Sequence, residues 1–238
     1  MENASKALLI AGGMLIALLV IGALVLMFNQ IGDYEKAQSS NKKVSQVAEF
    51  NKEFIKYTYD DIKGYELISL INKAIDFNGK KGTIKETANS VDYNKTITIN
   101  VNNINGFISK YGVSGKASLF KQDKYVTKSS NDLLPQAISK FSSLESTYSL
   151  GVMSKLSANY DSIKTYKDMK KQNKSDDEIK ISGGKSIKEI TGRDINISLE
   201  DIEKYREYSE FKSSTFTTDG DIVYDGEQVV GFSFKFVK

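Results

Sequence analysis

Residues 7–28 read ALLIAGGMLIALLVIGALVLMF, twenty-two consecutive positions without a charge. As an α-helix rising 1.5 Å per residue, this run spans about 33 Å, enough for a hydrocarbon core of about 30 Å. Its whole circumference is apolar, which points to lipid rather than to a single packed face. Three glycines interrupt it (Gly12, Gly13, Gly22). Transmembrane helices tolerate them because lipid offers the backbone no competing partner. A cleaved secretory signal is the rival reading. It would carry an apolar stretch of about 7–15 residues followed by a small-x-small site. This run is longer and closes in Leu26-Met27-Phe28 before Asn29-Gln30, without a small-x-small site. The expectation is an uncleaved signal anchor, with the lipid bilayer as its first partner.

The flanks orient it. MENASK carries Lys6 and one acid, Glu2; the far side opens with Asp33 and Glu35 before Lys36, Lys42 and Lys43. A short basic flank is typical of an end that stays cytoplasmic. Residues 1–6 are therefore read as cytoplasmic, 7–28 as a single-pass cell-membrane helix, and the large remainder as extracytoplasmic. Small residues recur four apart, Ala7 with Ala11 and Gly13 with Ala17. Such pairs permit close helix contact in lipid and mark candidate packing positions; their common occurrence in any membrane helix is the alternative.

Outward from the run, apolar or ring residues at Val47, Phe50, Phe54 and Tyr57 share one helical face with Ile68, Ile71 and Ile75. Asp61 and Gly64 interrupt the stripe. The pattern predicts a helix continuing from the membrane to about residue 60, a break near Lys63-Gly64, and a second helix from about Tyr65 to Phe77. Asn78-Gly79 and Gly82 should stop it. Residues 29–78 thus form a juxtamembrane amphipathic unit. The stripe suits core packing, and two short interrupted segments fall short of a coiled coil.

Residues 79–238 are expected to form an α+β domain. Val91–Val101 (VDYNKTITINV) alternates at Ile97, Ile99 and Val101 like a half-buried strand, with a partner strand beginning at Ile84. Asn102–Asn105 reads as a turn and Gly106–Tyr111 as a short helical turn. Ala137, Phe141, Leu144, Tyr148, Val152, Leu156, Tyr160 and Ile163 suggest helices, and Lys167–Glu178 is a charged, solvated stretch. Ser198 with Asp201 opens a further helix like a cap. At the end, Ser214–Thr217, Ile222–Tyr224 and Val229–Val237 are punctuated by Asp219-Gly220 and Asp225-Gly226. Asp-Gly supplies the positive φ of hairpin turns, so a three-stranded antiparallel β-meander is predicted, with Phe232, Phe234 and Phe236 on one buried face.

Composition removes whole classes of chemistry. The chain of 238 residues has no Cys, no His, no Trp and one Pro, Pro135. There is no disulfide, thiol nucleophile or Cys/His metal site, and no Ser-His-Asp triad. Basic and acidic residues number 33 and 30, and only Arg193 and Arg206 are arginines. A nucleic-acid binder would show a concentrated basic excess, so no nucleic acid is expected as a partner. Outside residues 7–28 the apolar share falls to roughly 35%, against a typical 45–50% that also counts Gly, which allows only a modest core.

Apparent motifs fail on spacing. Gly183-Gly184-Lys185-Ser186 has Ile179 where a phosphate-binding loop requires its first Gly. Asp219, Asp221, Asp225 and Glu227 approach a calcium loop, but Val223 occupies a ligand position and the final Glu is misplaced. Adjacent Asp60 and Asp61 would point about 100° apart on a helix. No catalytic residue, cofactor or metal is expected, and the protein is read as non-enzymatic.

The layout resembles a type IV pilin or pilin-like protein: an N-terminal apolar helix running on as an amphipathic one, then a turn-rich chain closing in antiparallel strands. The likeness is most detailed over about the first 60 residues. Ser5-Lys6-Ala7 before Leu8 is similar to the basic-then-small leader end of archaellin-like precursors, which marks Lys6, Ala7 and Leu8 as candidate leader-processing positions. Bacterial type IV pilins carry Gly before the cut and Glu at the fifth mature position. Here the fifth residue from Leu8 is Gly12, and a cut between Gly13 and Met14 would leave Leu18 there. The resemblance implies trimming by a dedicated peptidase and self-association of the apolar helices. The alternative is a membrane-tethered binding or accessory module with an envelope protein as partner.

Overall fold

The structure, a computed structural model, describes residues 2–82, 91–105, 107 and 125–237. Its first element, α1 (Glu2–Ile55), is one helix of 54 residues. At 1.5 Å per residue it is about 81 Å long. Between residues 3 and 45 every position is exposed except half-buried Gly32, and Val47 is the first buried residue. The helix ends at Ile55, sooner than the apolar stripe implies. Tyr57 N–H donates to the Phe54 carbonyl at 3.1 Å, Thr58 N–H to that of Ile55 at 2.8 Å, and the Thr58 hydroxyl also donates to the Ile55 carbonyl. These short-range bonds tighten and close the last turn.

The expected break is a strand, β1 (Ile62–Lys63), entered through Asp61 at φ 63°. Helix α2 (Gly64–Gly79) follows and buries Leu67, Ile68, Leu70, Ile71, Ala74 and Phe77. Its end matches the stop signal, and Asn78 explains why the chain stops there. The Asn78 amide donates to the carbonyls of Ile97 and Lys128 and accepts from Ile97 N–H, all at 2.7–2.8 Å.

Strand β2 (Thr98–Asn102) is shorter than the alternation suggests. Asp92 to Lys95 forms a turn instead, closed by the Asp92 carboxylate accepting from Asn94 N–H at 2.9 Å. The expected partner strand at Ile84 lies outside the described residues, as does most of Gly106–Tyr111. The observed antiparallel partner of β2 is β3 (Tyr125–Thr127). Six helices follow: α3 (Leu133–Tyr148), α4 (Leu150–Ala158), α5 (Tyr160–Lys171), α6 (Asp176–Ile181), α7 (Ile187–Thr191) and α8 (Leu199–Ser213). The predicted helical periodicity is present but divided at Ser149, held at φ 73°, and at Asn159. The charged stretch contributes the end of α5 and the start of α6, where Ser175 and Glu178 cap each other's backbone. Ser198 accepts from Asp201 N–H at 3.0 Å to open α8, as its sequence predicts.

Strands β4 (Thr215–Thr218), β5 (Val223–Asp225) and β6 (Gln228–Phe236) close the chain. They do not form the simple meander expected of them. β4 and β5 both pair antiparallel with β6, along its C-terminal and N-terminal halves, and the path through the sheet is β1-β4-β6-β2-β3. β6 is central because β2 lies parallel on its other edge, Thr98 opposite Gly231 through Asn102 opposite Lys235. A parallel pair requires a long crossover, and the helices between β2 and β6 supply it. The fold is thus mixed α+β: a long N-terminal helix and a mixed sheet covered by helices. Phe232, Phe234 and Phe236 are buried, as predicted.

Candidate functional site: a helix with one exposed and one docked end

The feature that organises the molecule is α1, and its two ends have different surroundings. Residues 7–28 are long and apolar enough to cross a bilayer, and every one of them is exposed. Ala7, Ala11, Gly13 and Ala17 are all exposed there, and a Cβ built on Gly13 meets no atom within 4 Å. At about 100° per residue, Ala7 and Ala11 share one face. Gly13 and Ala17 share another, about 240° round from the first, so the two pairs form separate patches rather than one stripe. Lys6, Ala7 and Leu8 lie in the first turns of the helix, exposed to solvent.

The last turns dock. Phe50 and Phe54 stand 5.0 Å apart, centroid to centroid. Phe50 contacts Phe77 of α2 at 4.9 Å, and Phe54 stacks on Phe232 of β6 at 6.3 Å. Tyr93 extends the cluster from the far side of Phe77 at 5.2 Å. Offset and tilted ring pairs at these separations add to the stabilisation from area burial alone.

Asn51 makes the specific contact. Its amide donates to the Glu227 carbonyl at 2.6 Å and accepts from Val229 N–H at 2.9 Å, pairing helix side chain to strand backbone at the β5–β6 turn. Glu53 pairs with Lys73 of α2 and with Lys56 at 3.2 Å. The hydrogen bond from Lys73, then that from Lys56, hold its carboxyl below the ordinary glutamate range. Asn51 and Glu53 carry no sequence signal as docking residues; in the sequence they are polar positions beside an apolar stripe.

The chain matches no protein-family model, no curated protein and no solved structure. Function is therefore read from the molecule's own geometry.

The motifs set aside in the sequence have structural roles. Ser186 caps α7 by accepting from Glu189 N–H at 3.2 Å, Gly183 turns at φ 77°, and Gly184 sits tight against Ile179. Asp219 accepts from the Asn102 amide at 2.7 Å, and Asp225 pairs with Lys95 at 3.4 Å. Asp60 accepts from the Thr217 hydroxyl at 2.9 Å. Among the described residues, no group of three acids is placed to hold a metal ion.

A part-buried polar contact is made by Glu145 of α3, which accepts from the Tyr205 hydroxyl at 2.8 Å and pairs with Lys212 at 3.0 Å. Burial first, then that hydrogen bond, push the Tyr205 phenol upward, so it stays neutral. The three residues tie α3 to α8 among the packed rings of Phe141, Tyr205 and Tyr208. Such a satisfied network rigidifies a lean core.

Proposed function

We propose that this protein is a non-enzymatic, single-pass membrane-anchored subunit with its α+β domain outside the cytoplasm, serving as a pilin-like structural or assembly component. The observation that carries the proposal is the continuity of α1. One unbroken helix joins an apolar run exposed on every side to a domain against which that helix's last turns pack. The helix meets the domain through side chains of its last turns, among them Phe50, Asn51, Glu53 and Phe54. The lack of Cys and His in the sequence favours a structural role over a chemical one.

A second reading, a membrane-tethered binding or accessory module, draws support from residues 29–45. This polar helical stretch holds the domain off the apolar run without packing on either.

Shearing cells and sequencing the N-terminus of the released protein separates the two. An assembly subunit appears in the sheared fraction, beginning at Leu8 or Met14. A tethered module stays with the membrane, beginning at Met1 or Glu2. Protease added to intact cells tests the orientation; a domain that survives untouched places it on the cytoplasmic side and ends the proposal.

A further inference from the structure

We propose that residues 29–45 of α1 are a conditional joint, a helical rod that opens reversibly to coil and frees the domain's orientation without releasing it. Three observations meet on this segment. Every residue from 29 to 45 except half-buried Gly32 is exposed, so opening it breaks no tertiary packing. Among the described residues, no ion pair or side-chain hydrogen bond is formed between positions 29 and 45. Neither acid has a lysine four residues on, where Asp33 would meet Ala37 and Glu35 would meet Ser39, and Lys36, three residues after Asp33, forms no ion pair with it. The composition also favours coil: Gly32, Asp33, Ser39, Ser40, Asn41 and Ser45 are weak helix formers.

A mostly polar helix without formed ion pairs draws little stability from its own side chains. This one is continuous because both its ends are already helical, which removes the cost of nucleation. The flanks obey different rules. In lipid, the backbone of 7–28 has no partner but itself. From Val47 onward the aromatic cluster and Asn51 hold the helix in place. Only between them does water compete for the backbone on equal terms.

The geometry makes the joint useful. As helix, the seventeen residues span about 26 Å. As flexible coil, their root-mean-square span is about 23 Å, and full extension reaches about 58 Å. Opening therefore leaves the typical end-to-end span of the segment nearly unchanged while abolishing its fixed direction.

The joint rests on insertion of residues 7–28, and one experiment reads both. The full chain is reconstituted sparsely in phosphatidylcholine vesicles and followed by amide hydrogen exchange. The expected result is exchange at residues 31–45 at least about tenfold faster than at 48–55, with 8–26 protected most strongly. A Gly32→Ala/Ser39→Ala/Ser40→Ala variant should slow the stalk at least about threefold and leave 48–55 unchanged. Stalk amides protected as well as 48–55, or unmoved by the triple variant, overturn the joint while the anchor stands. Stalk protection that rises with protein density also overturns it, because a second copy then covers the segment. Fast exchange at 8–26 overturns the anchor and the joint together.

Discussion

Gly13 and Gly64 both sit in helices, yet a methyl group added to each meets opposite surroundings. At Gly13, in the apolar run, it finds nothing within 4 Å. At Gly64, the first residue of α2, it would lie 1.7 Å from the Phe211 carbonyl oxygen of α8. Gly64 N–H also donates to the Ser214 carbonyl at 2.9 Å, so the chain cannot draw back without breaking that bond. The same residue type is thus a tolerated insertion in one region and a requirement in the other. In α1 before Val47, sequence governs hydropathy and helix length; after it, sequence governs fit.

The sharpest way to break the contrast is to make the same substitution in both places. Gly64→Ala should destabilise the domain by about 3 kcal/mol or more through backbone displacement. For a chain of this size that lowers the melting temperature by about 6–12 °C. Gly13→Ala should leave the domain's melting temperature unchanged. Circular dichroism melts of the two variants decide the matter, and equal losses would mean that the apolar run packs on the domain.

A smaller effect tests where the boundary lies. Asn51→Ala removes one side chain, strands the N–H of buried Val229 and leaves the exposed Glu227 carbonyl to water. Leaving that buried N–H unpaired costs about 2 kcal/mol. Asn41→Ala, three turns earlier, should cost nothing and slightly favour the helix. If urea melts show the two variants alike, the docked portion of α1 begins elsewhere.

The same boundary marks how far the sequence could be read. The apolar run announces itself because its signal is local: twenty-two uncharged residues need no partner to be recognised. The face of Val47, Phe50 and Phe54 is legible for the same reason, since helical period alone places it. The Ser198 cap and the Asn78-Gly79 stop are also local chemistry. What the sequence hides is pairing between distant segments. The alternation at Ile97, Ile99 and Val101 reveals a strand but not that its neighbour is β6, running parallel. The two Asp-Gly turns suggest a meander because they join consecutive strands; that β4 and β5 share one edge of β6 depends on β2 occupying the other. Asn51 was invisible for a related reason. A polar residue beside an apolar stripe looks like solvent-facing surface until the strand backbone it serves is in place.

The smallest predicted effect concerns charge on the two sides of the boundary. Glu53 lies on the docked side, with Lys73 and Lys56 beside it; Asp33 and Glu35 lie on the exposed side, where no ion pair forms among the described residues. Because Lys73 and Lys56 hold the Glu53 carboxyl below its ordinary value of 4.5, the folded state binds this proton less readily than the unfolded chain does. Its contribution is therefore fully present above about pH 4.5 and is lost as pH falls through the lowered folded value. Lys73 also lies 5.6 Å over the Phe54 ring, a contact indifferent to that proton. Glu53→Gln should then be less stable than the parent at pH 6 and converge with it near pH 3. Lys73→Met should retain a residual, pH-independent deficit from the lost ring contact. Because Glu53 is exposed, the difference should shrink in 1 M salt. A Glu53→Gln deficit that persists unchanged to pH 3 would show that the side chain, rather than its charge, helps to seat the helix.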